Sequence, residues 1–114
     1  MGRNRNRLRS APTSVYRIYD ESGVLLYVGI SSRLITRLGE HRRWSDWFSR
    51  AFSILVEEYE TQGHARRAEA IAIRDELPLF NKRSEAINAR QLRDGSLLEP
   101  MDSYAVTFAD IWGD

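Results

Sequence analysis

SVYRIYDESGVLLYVGISS, residues 14–32, holds two short runs rich in β-branched and aromatic side chains, Val15–Asp20 and Val24–Ile30. Such side chains suit a pleated, half-buried surface, so both runs are expected to be strands. Between them, Asp20-Glu21-Ser22-Gly23 puts Asp at the first and Gly at the fourth position of a type I turn. The stretch therefore predicts a β-hairpin. With Asp20 opposite Gly23, Tyr16 falls directly opposite Tyr27, and two phenols share one face of the sheet. A bulge at Gly23 shifts the register by one residue and breaks that pairing.

Downstream, Ser31 and Ser32 offer N-caps to a helix over residues 33–43. Arg33, Arg37 and His41 recur every four residues and line one stripe of it. Leu34, Ile35 and Leu38 form its expected apolar side. Ser45-Asp46 opens a second short helix through Trp47, Phe48 and Phe52, and Ser53–Tyr59 has the composition of a third strand. After Gly63 a helix is expected from about His64 to Leu77, stopped by Pro78. Ala65, Glu69, Ala72, Ile73 and Glu76 share one of its faces. Glu69 thus projects among small apolar residues, where a carboxylate must meet a partner, water or a cation. The order is β-β-α-α-β-α, with three strands.

The 114-residue chain has room for one domain, expected over residues 13–83 and flanked by two segments of opposite charge. Residues 1–12 form a polar arm carrying Arg3, Arg5, Arg7 and Arg9, closed by Pro12. Residues 84–114 carry Arg90 and Arg93 against six acidic residues; within them Glu85–Arg93 is a candidate helix ended by Gly95. The near-neutral total of +1 hides this asymmetry: residues 1–43 hold nine Arg against Asp20, Glu21 and Glu40. Lys82 is the only Lys among 17 basic residues, and Arg is the better fork for phosphate oxygens. In the acidic tail Tyr104, Phe108 and Trp112 recur every four residues, which suits a segment covering the core or docking a partner. Cysteine is absent, which excludes disulfides, thiolate nucleophiles and iron–sulfur ligation. With only His41 and His64, a structural zinc site is not expected. No apolar run is long enough to span a membrane, and the N-terminus lacks the apolar core of a secretory signal, so the expected compartment is the cytoplasm.

Two facing tyrosines, an Arg/His helical stripe and one inward Glu follow each other in an order that resembles the GIY-YIG nuclease family. The first family motif stands here as Ser14-Val15-Tyr16 and the second as Tyr27-Val28-Gly29, eleven residues on. Gly29-Ile30-Ser31 follows, then Arg37 and His41 in RLGEH, then Ala68-Glu69. Leu77-Pro78-Leu79-Phe80-Asn81 closes the set, with Glu69 and Asn81 twelve apart. The resemblance covers residues 14–83. Ser14 stands where the family has Gly, and is expected at most to crowd a strand edge. Val15 and Val28 are conservative β-branched replacements.

The resemblance implies a small α/β sandwich, a three-stranded antiparallel sheet flanked by helices, in agreement with the order above. It also implies a divalent-metal-dependent endonuclease acting on DNA, duplex or branched. Carried over residue by residue, the implied site is Tyr16, Tyr27, Arg37, His41, Glu69 and Asn81. Glu69 would hold Mg²⁺ or Mn²⁺; one carboxylate suits Mg²⁺, which keeps several waters and takes phosphate oxygens. Arg37 would stabilise the charged phosphorus centre. A free phenol has a pKa near 10 and is only about one part in a thousand ionised at pH 7, so a tyrosine base needs cationic neighbours or a relay. Tyr27 is the expected base, with Tyr16 positioning or relaying. His41 would orient a tyrosine or phosphate, and Asn81 would fix local backbone. Phosphate contacts are expected from Arg17, Arg33, Arg42, Arg43, Lys82 and Arg83 together with the arm arginines; they carry little sequence information. Sequence specificity is therefore expected to be low, or supplied by a partner, a second copy of the chain or a larger protein. The competing expectation is a non-catalytic nucleic-acid-binding or protein-docking module on the same scaffold.

Overall fold

A computed structural model describes residues 12–81 and 99–113 of the chain. Strand β1 (Thr13–Tyr19) pairs with β2 (Leu25–Ser31) in the expected antiparallel hairpin. Helix α1 (Leu34–Trp44) and a 3-10 turn (Asp46–Arg50) lead to β3 (Ser53–Tyr59), and helix α2 (Gln62–Glu76) follows. Strand β4 (Asp102–Thr107) and the short helix α3 (Phe108–Trp112) come after residue 98. The fold is α/β, with an antiparallel sheet in the order β2-β1-β3-β4.

Four strands replace the three expected from the sequence. β4 pairs along β3 from Glu58↔Asp102 to Ser53↔Thr107. Its residues lie in the acidic tail, where the every-fourth-residue spacing of aromatics suggested a segment covering the core or docking a partner. In the fold that spacing is split. Tyr104 belongs to the strand, Phe108 is buried, and Trp112 stacks on Phe108 at 5.4 Å. Phe108 is therefore part of the core and not a docking surface. The expected helix Glu85–Arg93 and the arm of residues 1–12, Pro12 apart, lie outside the described residues.

Side chains alternate across the sheet and build two cores. On one face Tyr16, Ile18, Ile54 and Val56 pack with Leu38 of α1, Phe48 of the 3-10 turn and Phe108. On the other, Val15, Val28 and Tyr59 pack with Ala65, Ala72 and Ile73 of α2. The apolar side of α1 differs from expectation at Ile35, which is 67% exposed. At 100° per residue the stripe that includes Leu34, Leu38 and His41 leaves position 35 turned away from the sheet. Thr61 caps α2 by accepting the His64 N–H, so the helix starts two residues before His64. It ends at Leu77, whose φ of 51° is left-handed, just ahead of Pro78.

The hairpin register departs from the direct Tyr16–Tyr27 pairing. Gly23 adopts φ 87° and donates to the Asp20 carbonyl, while the Asp20 side chain accepts the Ser22 and Val24 amides. This moves the register by one residue, so that Tyr19 pairs with Leu25. A bulge at Leu26 moves it by one more, and Ile18 pairs with Tyr27, Tyr16 with Gly29. Two odd shifts restore the parity of the pleat. Tyr16 and Tyr27 thus remain on one face, as diagonal rather than direct neighbours, with ring centroids 6.2 Å apart.

Ser14 also departs from its expected place. β1 lies inside the sheet, not at its edge, and the buried Ser14 hydroxyl donates to the Glu58 carboxylate on the neighbouring strand.

Candidate functional site

The bare backbone of Gly29 is what lets the site form. A Cβ there would lie 2.4 Å from the Tyr16 Cζ and hydroxyl, so the phenol occupies the space that any side chain would fill. Tyr16 thereby reaches across β2 and its hydroxyl meets His41 Nε2 at 2.8 Å. The other imidazole nitrogen, Nδ1, lies 3.1 Å from the Ser45 hydroxyl.

Protons can be placed along this chain. Burial, more than any other cause, pushes the Tyr16 phenol well above its ordinary value; the Tyr27 phenol beside it and the Glu69 carboxylate push the same way, against the Arg37 guanidinium. Tyr16 therefore stays protonated at neutral pH. Burial, with repulsion from Arg37, pulls His41 down to about 4, against the opposing pull of Glu40. A neutral imidazole has one acceptor nitrogen. The consistent assignment has the Tyr16 hydroxyl donating to His41 Nε2 and the Nδ1–H donating to Ser45.

Because folded His41 resists protonation, stability must depend on pH. An unfolded histidine takes up a proton near pH 6.5, while folded His41 waits until about pH 4. Its contribution is complete above about pH 6.5, is lost as pH falls towards 4 and is constant below that, on the order of 3 kcal/mol in all. Urea unfolding of the wild type and His41→Gln at a series of pH values should show the extra slope in the wild type alone.

The cleft beside this chain has a volume of about 650 Å³ and is lined by Tyr27, Arg37, Glu40, His41, Trp44 and Trp47, with Ser45. Tyr27 stacks on Trp47 at 5.1 Å, and Trp47 stacks in turn on Phe80 at 6.0 Å. This ladder fixes the Tyr27 ring while leaving the residue partly exposed. Arg37 pairs with Glu40 at 3.0 Å on the exposed side of α1. Glu40, Trp44, Ser45 and Trp47 were not expected as site residues; the available signal was two tryptophans following paired arginines in HRRWSDW.

Asn81 is bonded to the backbone of β2. Its Oδ1 accepts the Val28 N–H and its Nδ2 donates to the Val28 carbonyl, both at 2.8 Å. The Leu79 and Phe80 amides donate to Leu25 and Leu26, so residues 79–81 cover the outer edge of β2. Asn81→Ala should cost about 1–2 kcal/mol for the two bonds. Amide hydrogen exchange should show the loss as faster exchange at Val28 while the β1–β3 ladder stays protected.

Glu69 comes from the opposite layer. Its helix packs Ala65, Ala68 and Ala72 on the far side of the sheet, and Glu69 is half-buried there. It is absent from the cleft lining, yet its charge reaches the Tyr16 phenol. Among the described residues no three His, Cys, Asp or Glu side chains gather as a metal cluster. The donor set on offer is one carboxylate, which suits a hard, well-hydrated cation such as Mg²⁺ and not a closed structural site.

The expected phosphate contacts divide. Arg33, Arg42 and Arg43 are exposed. Arg17 is not available: it ion-pairs with Glu57 at 2.6 Å and Glu76 at 2.8 Å, its side chain only 13% exposed, on the sheet face covered by α2. Strand alternation places it there, beside Val15 and away from the tyrosines. Arg3, Arg5, Arg7, Arg9, Lys82 and Arg83 lie outside the described residues. No described helix is long and apolar enough to cross a membrane.

Compared with family models, with curated proteins and with solved structures, the chain matches none.

Proposed function

We propose that the protein is a GIY-YIG-type, divalent-metal-dependent endonuclease that hydrolyses phosphodiester bonds in DNA. The observation that carries this reading is the gathering of Tyr27, Arg37 and His41 around one open cleft, with Tyr16 hydrogen-bonded behind them. Phosphodiester hydrolysis needs an activated water, a clamp on developing negative charge and a path for the proton. Arg37 stays cationic in the cleft and supplies the clamp. Tyr27 lines the cleft next to Arg37 and takes the proton from water. Tyr16, buried and held protonated, positions through His41 and is not the base. Glu69 would hold Mg²⁺ or Mn²⁺; when bound, such an ion polarises a phosphate oxygen and lowers the pKa of a coordinated water. Asn81 keeps Tyr27 and Gly29 in place by fixing Val28 between them.

The test is conversion of supercoiled plasmid by the purified chain. Nicking in Mg²⁺ or Mn²⁺ that stops in EDTA is the expected result. Salt-sensitive DNA binding with no cutting in either metal would replace this reading with the non-catalytic one. Cytoplasmic location and a homodimer or larger partner remain parts of the same proposal; a dimer in solution would supply two sites for a double-strand break.

A further inference from the structure

A second open cavity, about 620 Å³, adjoins the first at the C-terminal end of α1, between the 3-10 turn and α3. Trp44 and Ser45 line both cavities, so the two adjoin at these residues. Trp44 is 74% exposed on the ridge between them. The far wall is rigid: Trp112 stacks on Phe108, which sits edge-on to buried Phe48 at 5.0 Å. Arg42 lies over the Trp112 ring at 4.5 Å, and exposed Arg43 is beside it. Asp46 also lines the cavity. It repels phosphate locally, which leaves the arginine side for the backbone of a bound strand and offers an acceptor to base amino groups.

Flat aromatic faces alternating with guanidinium groups are the chemistry that holds unpaired nucleotides, since every base has a face to stack and every linkage a charge. Bases within a duplex are already stacked on each other, and taking one out costs a few kcal/mol. We infer that the second cavity is a subsite for an unpaired nucleotide strand continuing out of the cleft, with one base stacked on Trp44 and phosphates held by Arg42 and Arg43. The inference rests on the nuclease reading and narrows its substrate to nucleic acid with a single-stranded segment, such as a flap or fork.

The experiment measures binding by fluorescence anisotropy, using the full chain in EDTA. The probes are oligothymidylate of about twelve nucleotides, oligouridylate of the same length and a duplex of equal length. The wild type should bind single strands more tightly than duplex. Trp44→Ala should weaken single-strand binding about tenfold, the loss of one base–aromatic stack, and duplex binding by less than about twofold. Trp44→Phe should restore most of the affinity, and Arg43→Ala should reduce the salt slope by about one. Equal binding of the two oligomers marks recognition of base and phosphate alone; preference for oligouridylate marks an RNA strand. Unchanged single-strand binding in Trp44→Ala, or equal losses for single strand and duplex, overturns the subsite, as does failure of the wild type to bind any oligomer. Because no metal is present, a chain that binds this way but never cuts plasmid retains the subsite and loses the nuclease. One that cuts plasmid but ignores the Trp44 change loses only the subsite.

Discussion

Glu69→Ala is expected to leave the chain folded and to reduce plasmid cutting to the level seen in EDTA. The flanking Ala65, Ala68 and Ala72 pack α2 on the sheet, and alanine is the best helix former, so the helix is expected to survive the substitution. Arg37→Ala provides the contrast. It takes a cation from inside the cleft, and loss of one such charge-stabilising donor lowers the chemical step about 10²–10³-fold. It also removes the repulsion that helps hold His41 down and the attraction that restrains the rise of Tyr16. His41 should therefore titrate higher in Arg37→Ala than in the wild type, which NMR of the imidazole would register independently of activity. Single-turnover nicking separates the two variants. Wild-type cutting by Glu69→Ala in Mg²⁺ would reduce that carboxylate to a structural role and remove the metal site from the proposal.

A second large effect falls on the fold. Gly29→Ala should destabilise the protein by about 2–4 kcal/mol, the cost of overpacking plus the lost bond between Tyr16 and His41. The nearest atoms are at the far end of a side chain, which ordinarily swings aside cheaply. Here the ring is fully buried and its hydroxyl is held at 2.8 Å, so it has nowhere to go. Urea denaturation gives the size of the effect, and a double-mutant cycle gives its origin. In a Tyr16→Leu background, Gly29→Ala should cost much less, because the clashing ring is gone. Strict additivity would show that the glycine serves the strand backbone and not the tyrosine.

Much of the secondary structure could be read from residue spacing, while the candidate site residues came from the resemblance of their motifs to a nuclease family. Helices α1 and α2 and strand β3 followed from periodicity, composition and breakers that act over a few positions, and the structure places them within about two residues of expectation; the caps did not, since Ser31 and Ser32 leave the N-cap of α1 to Arg33, which makes no side-chain capping bond. Other features came from contacts far apart in the chain. β4 pairs along the edge of β3, and Phe108 beyond it enters the core; its own six residues, a short run that follows Pro100 in an acidic tail, announce neither contact. Arg17 looks like any strand arginine until Glu57 and Glu76 arrive from two other elements.

From the sequence alone came the hairpin and the order of the first three strands and their helices, because these depend on local conformation, and the candidate roles of Tyr27, Arg37 and Asn81, because the motifs that hold them resemble a known family's. Tertiary structure alone decided the hairpin register, the fourth strand, the removal of Arg17 from the basic surface and the neutral state of His41. The register turns on backbone geometry at Gly23 and Leu26 that residue types leave open, and the others depend on burial or on a neighbour tens of residues away, for which a linear pattern carries no distance.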